Sequence, residues 1–257
     1  MVYLSAAVLG VLQGIAEFLP ISSSGHVLLG ASLLDESLET PDFNLAVHLG
    51  TLGSILVVYR KQLWDRRADV RLWPRVAVST LPLVVVGLFL KDRVEAALES
   101  PEYVGFFLLL TAAFLALIPK VEPTGEGRSL DEVRWSDALA IGLFQAVAIL
   151  PGVSRSGSTI FGGTLRGLGR VAAADYSFFI AIPAICGAAV LHGKDVFEEG
   201  LKTPAAVLVW GAVIAFGVGI VALKLLLSLV AKGKIQWFAA YCGLLGAAAI
   251  AWFWFIK

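Results

Sequence analysis

The chain has 257 residues, 58% hydrophobic and 16% charged, with a formal net charge of zero. A soluble domain of this length needs more polar residues to cover its surface, so the composition describes an integral membrane protein. Balanced charge leaves no bulk attraction for nucleic acid, and Cys186 and Cys242, both in apolar runs, read as buried packing residues rather than a disulfide framework.

The first stretch, residues 2–34, is apolar but interrupted by Pro20, three consecutive serines and Gly25. No basic segment precedes it, so residues 2–19 are expected to be mature structure and not a cleaved signal. Three regular apolar runs follow at 43–59, 75–90 and 103–119, each close to the length that spans a bilayer as helix. A second interrupted stretch, 135–168, carries Pro151, Gly152 and its own serines. Regular runs then return at 173–191, 204–230 and 236–256. The last ends in Trp252-Phe253-Trp254-Phe255, an interfacial aromatic belt. Non-helical backbone at membrane depth persists only where protein or a water-filled cavity satisfies it. The two interrupted stretches are therefore expected to line such a cavity.

Loop charge sets direction. The 60–75 loop holds Arg60, Lys61, Arg66, Arg67, Arg71 and Arg75 and is expected in the cytoplasm. The 91–102 loop is mostly acidic and falls outside. The 120–134 loop, Arg166, Arg170, Lys232 and Lys234 fall inside, and the 192–202 loop, with His192, falls outside in solvent. These assignments close only if 2–34 starts and ends outside and 135–168 starts and ends inside. Each is then a re-entrant hairpin, and both termini lie on the non-cytoplasmic side.

A shift of 132 residues lays GVLQGIAEFLPISSSG (10–25) over GLFQAVAILPGVSRSG (142–157), with six identities: Gly10/Gly142, Gln13/Gln145, Ala16/Ala148, Ser22/Ser154, Ser24/Ser156 and Gly25/Gly157. The expected fold is an all-α polytopic membrane protein with an inverted-topology repeat. Residues 1–257 form one integral membrane domain, with repeat 1 at about 1–125 and repeat 2 at about 133–257. Each half is a hairpin plus three spans, and the hairpin tips should meet near the midplane.

Those tips carry the chemistry. Gln13 and Glu17 are four apart and share a helix face. An intramembrane carboxylate costs roughly 2.5–3.5 kcal/mol on insertion scales, so Glu17 needs a partner or a function. It suits a general base, a proton carrier, a metal ligand or a structural tie between the hairpins. Pro20 ends the first helix. Ser22, Ser23, Ser24 and Gly25 open the next with small residues suited to an anion nest or a helix cap. His26 titrates near neutrality and stands three residues from Ser23, within reach to activate or protonate it. In the second tip, Arg155 is permanently charged. With Ser154, Ser156, Ser158, Thr159 and the freed backbone at Gly157 it forms a phosphate cradle. In the absence of an anion it can pair with Glu17. Together these groups suit phosphoryl chemistry on a lipid head group, with Ser23, His26 or water attacking. Glu17, with Gln13 beside it, can bind Mg²⁺ or Ca²⁺ bridging two phosphates. The scattered His and Cys residues supply no transition-metal set. His48 falls mid-span, and both packing and a place facing the cavity are open to it.

QGIAEFLPISSSGH (13–26) resembles the Glu/Gln-x-x-x-Glu and Ser-Gly-His motif of the bacterial undecaprenyl-diphosphate phosphatases, also called bacitracin-resistance proteins. PGVSRSGST (151–159) resembles that family's Pro-Gly-x-Ser-Arg-Ser-x-x-Thr motif, and VHLGTLGSILVV (47–58) fits too. The resemblance covers nearly the whole chain. It implies removal of one phosphate from undecaprenyl diphosphate to recycle the cell-wall lipid carrier, with divalent-ion dependence and a site open to the outer side of the bacterial cytoplasmic membrane. Carried over by position, Glu17, Ser23, His26 and Arg155 are the expected essential residues. Ser154, Ser156 and Thr159 are the expected phosphate contacts, joined by Gln13, Ser22 and Ser24 from the first motif. With Gln at position 13, Glu17 is the one acid in that motif. A second phosphatase superfamily with Ser-Gly-His and Ser-Arg needs a histidine where this chain has Phe161. The rival functions are a lipid-phosphate transporter or flippase using the same cradle, and a non-catalytic lipid-diphosphate binder. Gly211, Gly217, Gly219, Gly243 and Gly246 permit close helix packing, within one subunit or between the copies of a homodimer.

Overall fold

The computed structural model describes residues 1–31, 40–89 and 101–256. The acidic loop segment 91–100 and residues 32–34 of the first interrupted stretch lie outside the described residues. Among the described residues all regular structure is helical, with a lone β-bridge between Arg128 and Leu168. In chain order the helices are α1 (Val2–Ala16), α2 (Ser23–Ala31), α3 (Pro41–Val58), α4 (Arg60–Asp65), α5 (Leu72–Phe89), α6 (Val104–Val121), α7 (Trp135–Val147), α8 (Arg155–Leu165), α9 (Arg170–Glu199), α10 (Ala205–Ala231) and α11 (Trp237–Ala251). A wider π-helical turn, Trp252–Ile256, follows α11.

Six of these, α3, α5, α6, α9, α10 and α11 with its closing turn, are long and apolar enough to cross a membrane. Their outward side chains, among them Leu81, Phe89, Val221 and Leu244, are exposed. Helices that are apolar on their outer faces as well as their inner ones are solvated by lipid. The chain is a multi-pass membrane protein.

Five of the six spans fall within a few residues of the expected boundaries. The exception is α9, which continues past 191 to Glu199, so His192 lies in helix and not in a loop. Pro183 is accommodated inside α9, and the helix stops only where Gly200 turns left-handed at φ 81°. The basic loop contains a short helix, α4, that hydropathy does not reveal. Beyond it Asp69 caps α5 by accepting from the backbone N–H groups of Arg71 (2.9 Å) and Leu72 (3.0 Å). Arg66 bonds both Asp69 and Asp131, and its guanidinium holds the Asp131 carboxyl below the usual carboxylate range. At the mouth of the second interrupted stretch, the fully buried Asp137 accepts from Arg128 (2.7 Å), Arg166 (3.0 Å) and the Arg134 N–H (3.0 Å).

Helix α10 lies against both α1 and α3, α5 lies against α7, and α6 lies against α11, while α9 touches α3, α5 and α8. The core gathers around the two short helix pairs. Phe18, Tyr59, Phe178 and Phe179 stack on one side, and Phe114, Phe144 and Phe161 on the other. The glycines at Gly211, Gly219 and Gly246 face Phe43, Ser54 and Gly105, so this close packing is within the subunit, whereas Gly217 faces open space. Of the two cysteines Cys242 is buried, but Cys186 on α9 is exposed.

Gly50 is the tightest of these approaches, since a Cβ there would stand 2.3 Å from the Ala212 carbonyl oxygen. Gly50→Val is expected to destabilise by about 1–3 kcal/mol or more, because backbone must move. Gly217→Ala, by contrast, should be neutral or stabilising by up to about 1 kcal/mol. Thermal unfolding of the detergent-solubilised variants checks both.

Candidate active site

The site is built where two helix pairs are interrupted. Helix α1 ends at Ala16 because Pro20 follows within a turn. Glu17 keeps helical backbone (φ −63°) and turns its carboxylate inward, 7% exposed. Ser22 takes φ 71°, the only left-handed non-glycine among the described residues. Its hydroxyl holds that geometry by accepting from Gly25 N–H (3.4 Å) and, across the interface, from Gly152 N–H (3.0 Å). In the second pair Ser154 caps α8 by accepting from Gly157 N–H (3.1 Å). Gly152, at φ 103°, lies so close to α6 that a Cβ would stand 2.6 Å from the Val104 carbonyl oxygen. That approach lets Thr111 donate to the Gly152 carbonyl (2.8 Å) and accept from Ser154 N–H (2.9 Å).

The two tips meet through Arg155 and Glu17. Nη2 of Arg155 lies 2.6 Å from Oε1 of Glu17. The other carboxylate oxygen, Oε2, accepts from Gln13 Nε2 (3.0 Å) and from Ser23 Oγ (3.1 Å). The second terminal nitrogen of Arg155, Nη1, is buried and has no hydrogen-bond partner among the described residues. A buried guanidinium N–H without an acceptor is costly, and it is the donor an oxyanion would satisfy.

Other expected site residues are placed differently. His26 lies within the first tip but is not bonded to Ser23. Its Nδ1 is 2.8 Å from the Ser22 carbonyl, and its Nε2 is 2.7 Å from Tyr241 Oη on α11, with the two rings stacked. Ser24 is exposed beside the tip. Ser22, Ser154, Ser156 and Thr159 are buried, each at most 2% exposed. Ser22 and Ser154 act as caps, as described above. Ser156 Oγ lies 3.2 Å from Ser154 Oγ, and Thr159 Oγ1 bonds the Arg155 carbonyl (2.8 Å) and Ser177 Oγ (2.6 Å). These residues hold the start of α8 and so aim Arg155. Each of these hydroxyls carries bonds within the protein.

The donors suit a divalent cation only as one partner among several. Glu17 is the single carboxylate, and no group of three His, Cys, Asp or Glu side chains that could hold a metal exists among the described residues. Any hard cation here would take Glu17 and complete its shell with phosphate oxygens and water.

Residues 6–248 match the sequence profile of bacitracin resistance protein BacA. The chain belongs to the BacA family. A relative from Rhodopirellula baltica named undecaprenyl-diphosphatase is 44% identical over 238 residues, covering 91% of this chain and 92% of its own. One of the same name from Bacteroides thetaiotaomicron is 39% identical over 267 residues, covering 97% and 98%. A third, from Desulforapulum autotrophicum, is 38% identical over 266 residues and 95% of each chain.

Within this BacA-family site, the motifs alone did not disclose Tyr241 or Ser177, which support His26 and Thr159 from helices far along the chain. Ring-to-ring and hydroxyl-to-hydroxyl contacts of this kind leave no local sequence pattern. His48 was visible as a mid-span histidine, and its Nε2 stands 3.8 Å from Glu17 Oε2.

Glu17→Gln leaves Arg155 buried without its counter-charge, which is expected to cost about 3–5 kcal/mol. The double variant Glu17→Gln/Arg155→Met should recover much of that loss. Melting temperatures of the two in the same detergent test the assignment.

Proposed function

We propose that the protein is an undecaprenyl-diphosphatase. It hydrolyses undecaprenyl diphosphate to undecaprenyl phosphate and inorganic phosphate, recycling the lipid carrier of cell-wall synthesis and so conferring bacitracin resistance. One observation carries this reading: Arg155, with its buried Nη1 unpartnered, is paired through Nη2 to the same carboxylate that accepts from the Ser23 hydroxyl.

Arg155 binds the terminal phosphate, with Nη1 first and then with Nη2 as it exchanges Glu17 for phosphate oxygen. Guanidinium forks suit phosphate geometry and stabilise charge that builds in the transition state. Ser23 Oγ attacks phosphorus and its proton passes to Glu17 Oε2. The bond from phosphorus to the bridging oxygen breaks, and undecaprenyl phosphate leaves with the electron pair. Glu17 then releases the serine proton to solvent, and water adds to the phosphoserine and gives a proton of its own to the freed carboxylate. That proton returns to Ser23 Oγ as the phosphorus–Oγ bond breaks and phosphate is released. His26, held by Ser22 and Tyr241, fixes the start of α2 and hence the aim of Ser23. Glu17, with Gln13 beside it, is the protein's contribution to holding Mg²⁺ or Ca²⁺. Such an ion, when bound, neutralises charge shared by the two phosphates. A transporter has no use for a hydroxyl paired with a base, so the Ser23–Glu17 bond favours hydrolysis over carriage.

The inverted repeat is part of this proposal, with one membrane domain made of halves at about 1–125 and 133–257. Its support is a reciprocal pattern of contacts. Gly10 packs on the Gly211 carbonyl and Gly142 on the Ser79 carbonyl, and each partner is 132 residues from its counterpart. Thr111 donates to the Gly152 carbonyl (2.8 Å), and Cys242 Sγ to the Pro20 carbonyl (3.5 Å), at nearly the same offset. On this arrangement α1–α2 and α7–α8 are re-entrant hairpins entering the bacterial cytoplasmic membrane from opposite faces. The basic 60–75 loop is cytoplasmic, and the site opens outward. The outer faces of α5 and α11 carry enough apolar surface to seat a second copy as a homodimer.

Purified wild-type protein is expected to release phosphate from a detergent-solubilised polyprenyl diphosphate. EDTA should suppress release, and Mg²⁺ or Ca²⁺ should restore it. Arg155→Lys keeps the charge but loses the fork and should lower kcat by about 10²–10³, and Ser23→Ala should remove turnover. A folded wild type that binds the lipid without releasing phosphate would return the transporter to first place.

A further inference from the structure

We propose that the turn from α3 through α4 docks the head group of an anionic phospholipid, held by the guanidiniums of Arg60 and Arg67 on either side of the Trp64 indole. The proposal goes beyond the phosphatase reading and does not depend on it.

Helical spacing assembles the site. Arg60 and Trp64 are four residues apart on α4 and share a face. Arg67 lies just past the end of α4, and its Cζ stands 4.3 Å from the centre of the Trp64 ring. The backbone holds both arginines in place. Nη1 of Arg60 donates to the Val57 carbonyl (3.0 Å), and Nη1 of Arg67 donates to the Trp64 carbonyl (2.6 Å). A guanidinium has further N–H groups, so these bonds set its direction and leave donors for a ligand.

The charge of these two arginines is not spent within the protein. Arg66, Arg128, Arg166 and Arg170 are paired with Asp69, Asp131, Asp137 or Glu122. Arg60 and Arg67 are exposed, and among the described residues neither has an ion pair. The acid of α4 itself, Asp65, lines a cavity of about 630 Å³ together with Asp69, Asp131 and Asp175.

The surroundings select a lipid over a soluble anion. Trp64 is 67% exposed. Leu56 and Val57, also exposed, form the last turn of α3, a helix long and apolar enough to cross a membrane. Along the chain, apolar surface gives way to a guanidinium, an indole and a second guanidinium. A phospholipid presents its acyl chain, phosphate and head group in the same order at the bilayer edge, where tryptophan concentrates. The guanidinium fork matches phosphate oxygens, and basic residues at this level attract anionic lipid. A choline or ethanolamine head group would set a cation against two arginines, so the fit is to a lipid such as phosphatidylglycerol.

The test follows thermal unfolding of the full chain in a neutral detergent as phosphatidylglycerol, phosphatidylcholine or glycerol 3-phosphate is added. Phosphatidylglycerol is expected to raise the midpoint of the wild type, and the other two are expected to leave it in place. Arg60→Gln and Arg67→Gln should each weaken the apparent affinity for phosphatidylglycerol about 5-fold, and the double variant about 30-fold. Both side chains are exposed, so the midpoints without lipid should match the wild type. Lys232→Gln/Lys234→Gln removes equal charge from another loop and should bind as the wild type does. Equal stabilisation by phosphatidylcholine and phosphatidylglycerol overturns the proposal. So does stabilisation by glycerol 3-phosphate, which marks a soluble-anion site. An equal loss in the two double variants also overturns it, because it marks general surface charge and not a site at Trp64.

Discussion

The buried ion pair between Arg155 and Glu17 sets the terms for the rest of the molecule. Two charges inside an apolar helical assembly are expensive unless each is paired and hydrogen-bonded. Their side chains come from helix pairs far apart in sequence, so the pair forms only when both interruptions are brought tip to tip. The surrounding bonds serve that meeting. Ser22 reaches across to Gly152, Thr111 fixes both Gly152 and Ser154, and the caps of α2 and α8 keep the backbone from continuing as helix. The pair is also incomplete, since one guanidinium nitrogen stays unsatisfied. On the function proposed above, stability and binding draw on the same residues, with part of the first withheld to allow the second.

Breaking a helix inside a membrane protein exposes backbone groups that lipid cannot satisfy. Here serines and a threonine satisfy them, which explains why the interruptions are so rich in hydroxyls. Residues that look like a phosphate-binding array also hold the broken backbone together. Ser154, Ser156 and Thr159 are buried and bonded within the protein, whereas Ser23 is partly exposed and bonded to a carboxylate.

Much of this was legible beforehand. The six spans follow from apolar runs that a bilayer requires, and the two interruptions follow from Pro20, Pro151 and the serine runs. The joining of Glu17 to Arg155 could be expected because neither charge had another partner in its own segment. What stayed hidden has physical causes. The last turns of α9 carry charge, so hydropathy ends the span early while hydrogen bonding carries the helix on to Gly200. Helix α4 is too short and polar for a hydrophobic period. A hydroxyl pattern cannot say which oxygens cap a helix and which face a ligand, because both tasks select serine. His26 was a candidate acid or base and His48 was open to packing or the cavity, and only the placement of Tyr241 and Glu17 around them separates their surroundings.

Ser23 and Arg155 fall at the same register of the two matching stretches, 132 residues apart, while serine and glycine neighbours on either side are shared. Two identical copies of such a stretch would set like against like, either a pair of serines with no cation between them or a pair of arginines driving each other away. Neither arrangement could both grip an anion and attack it.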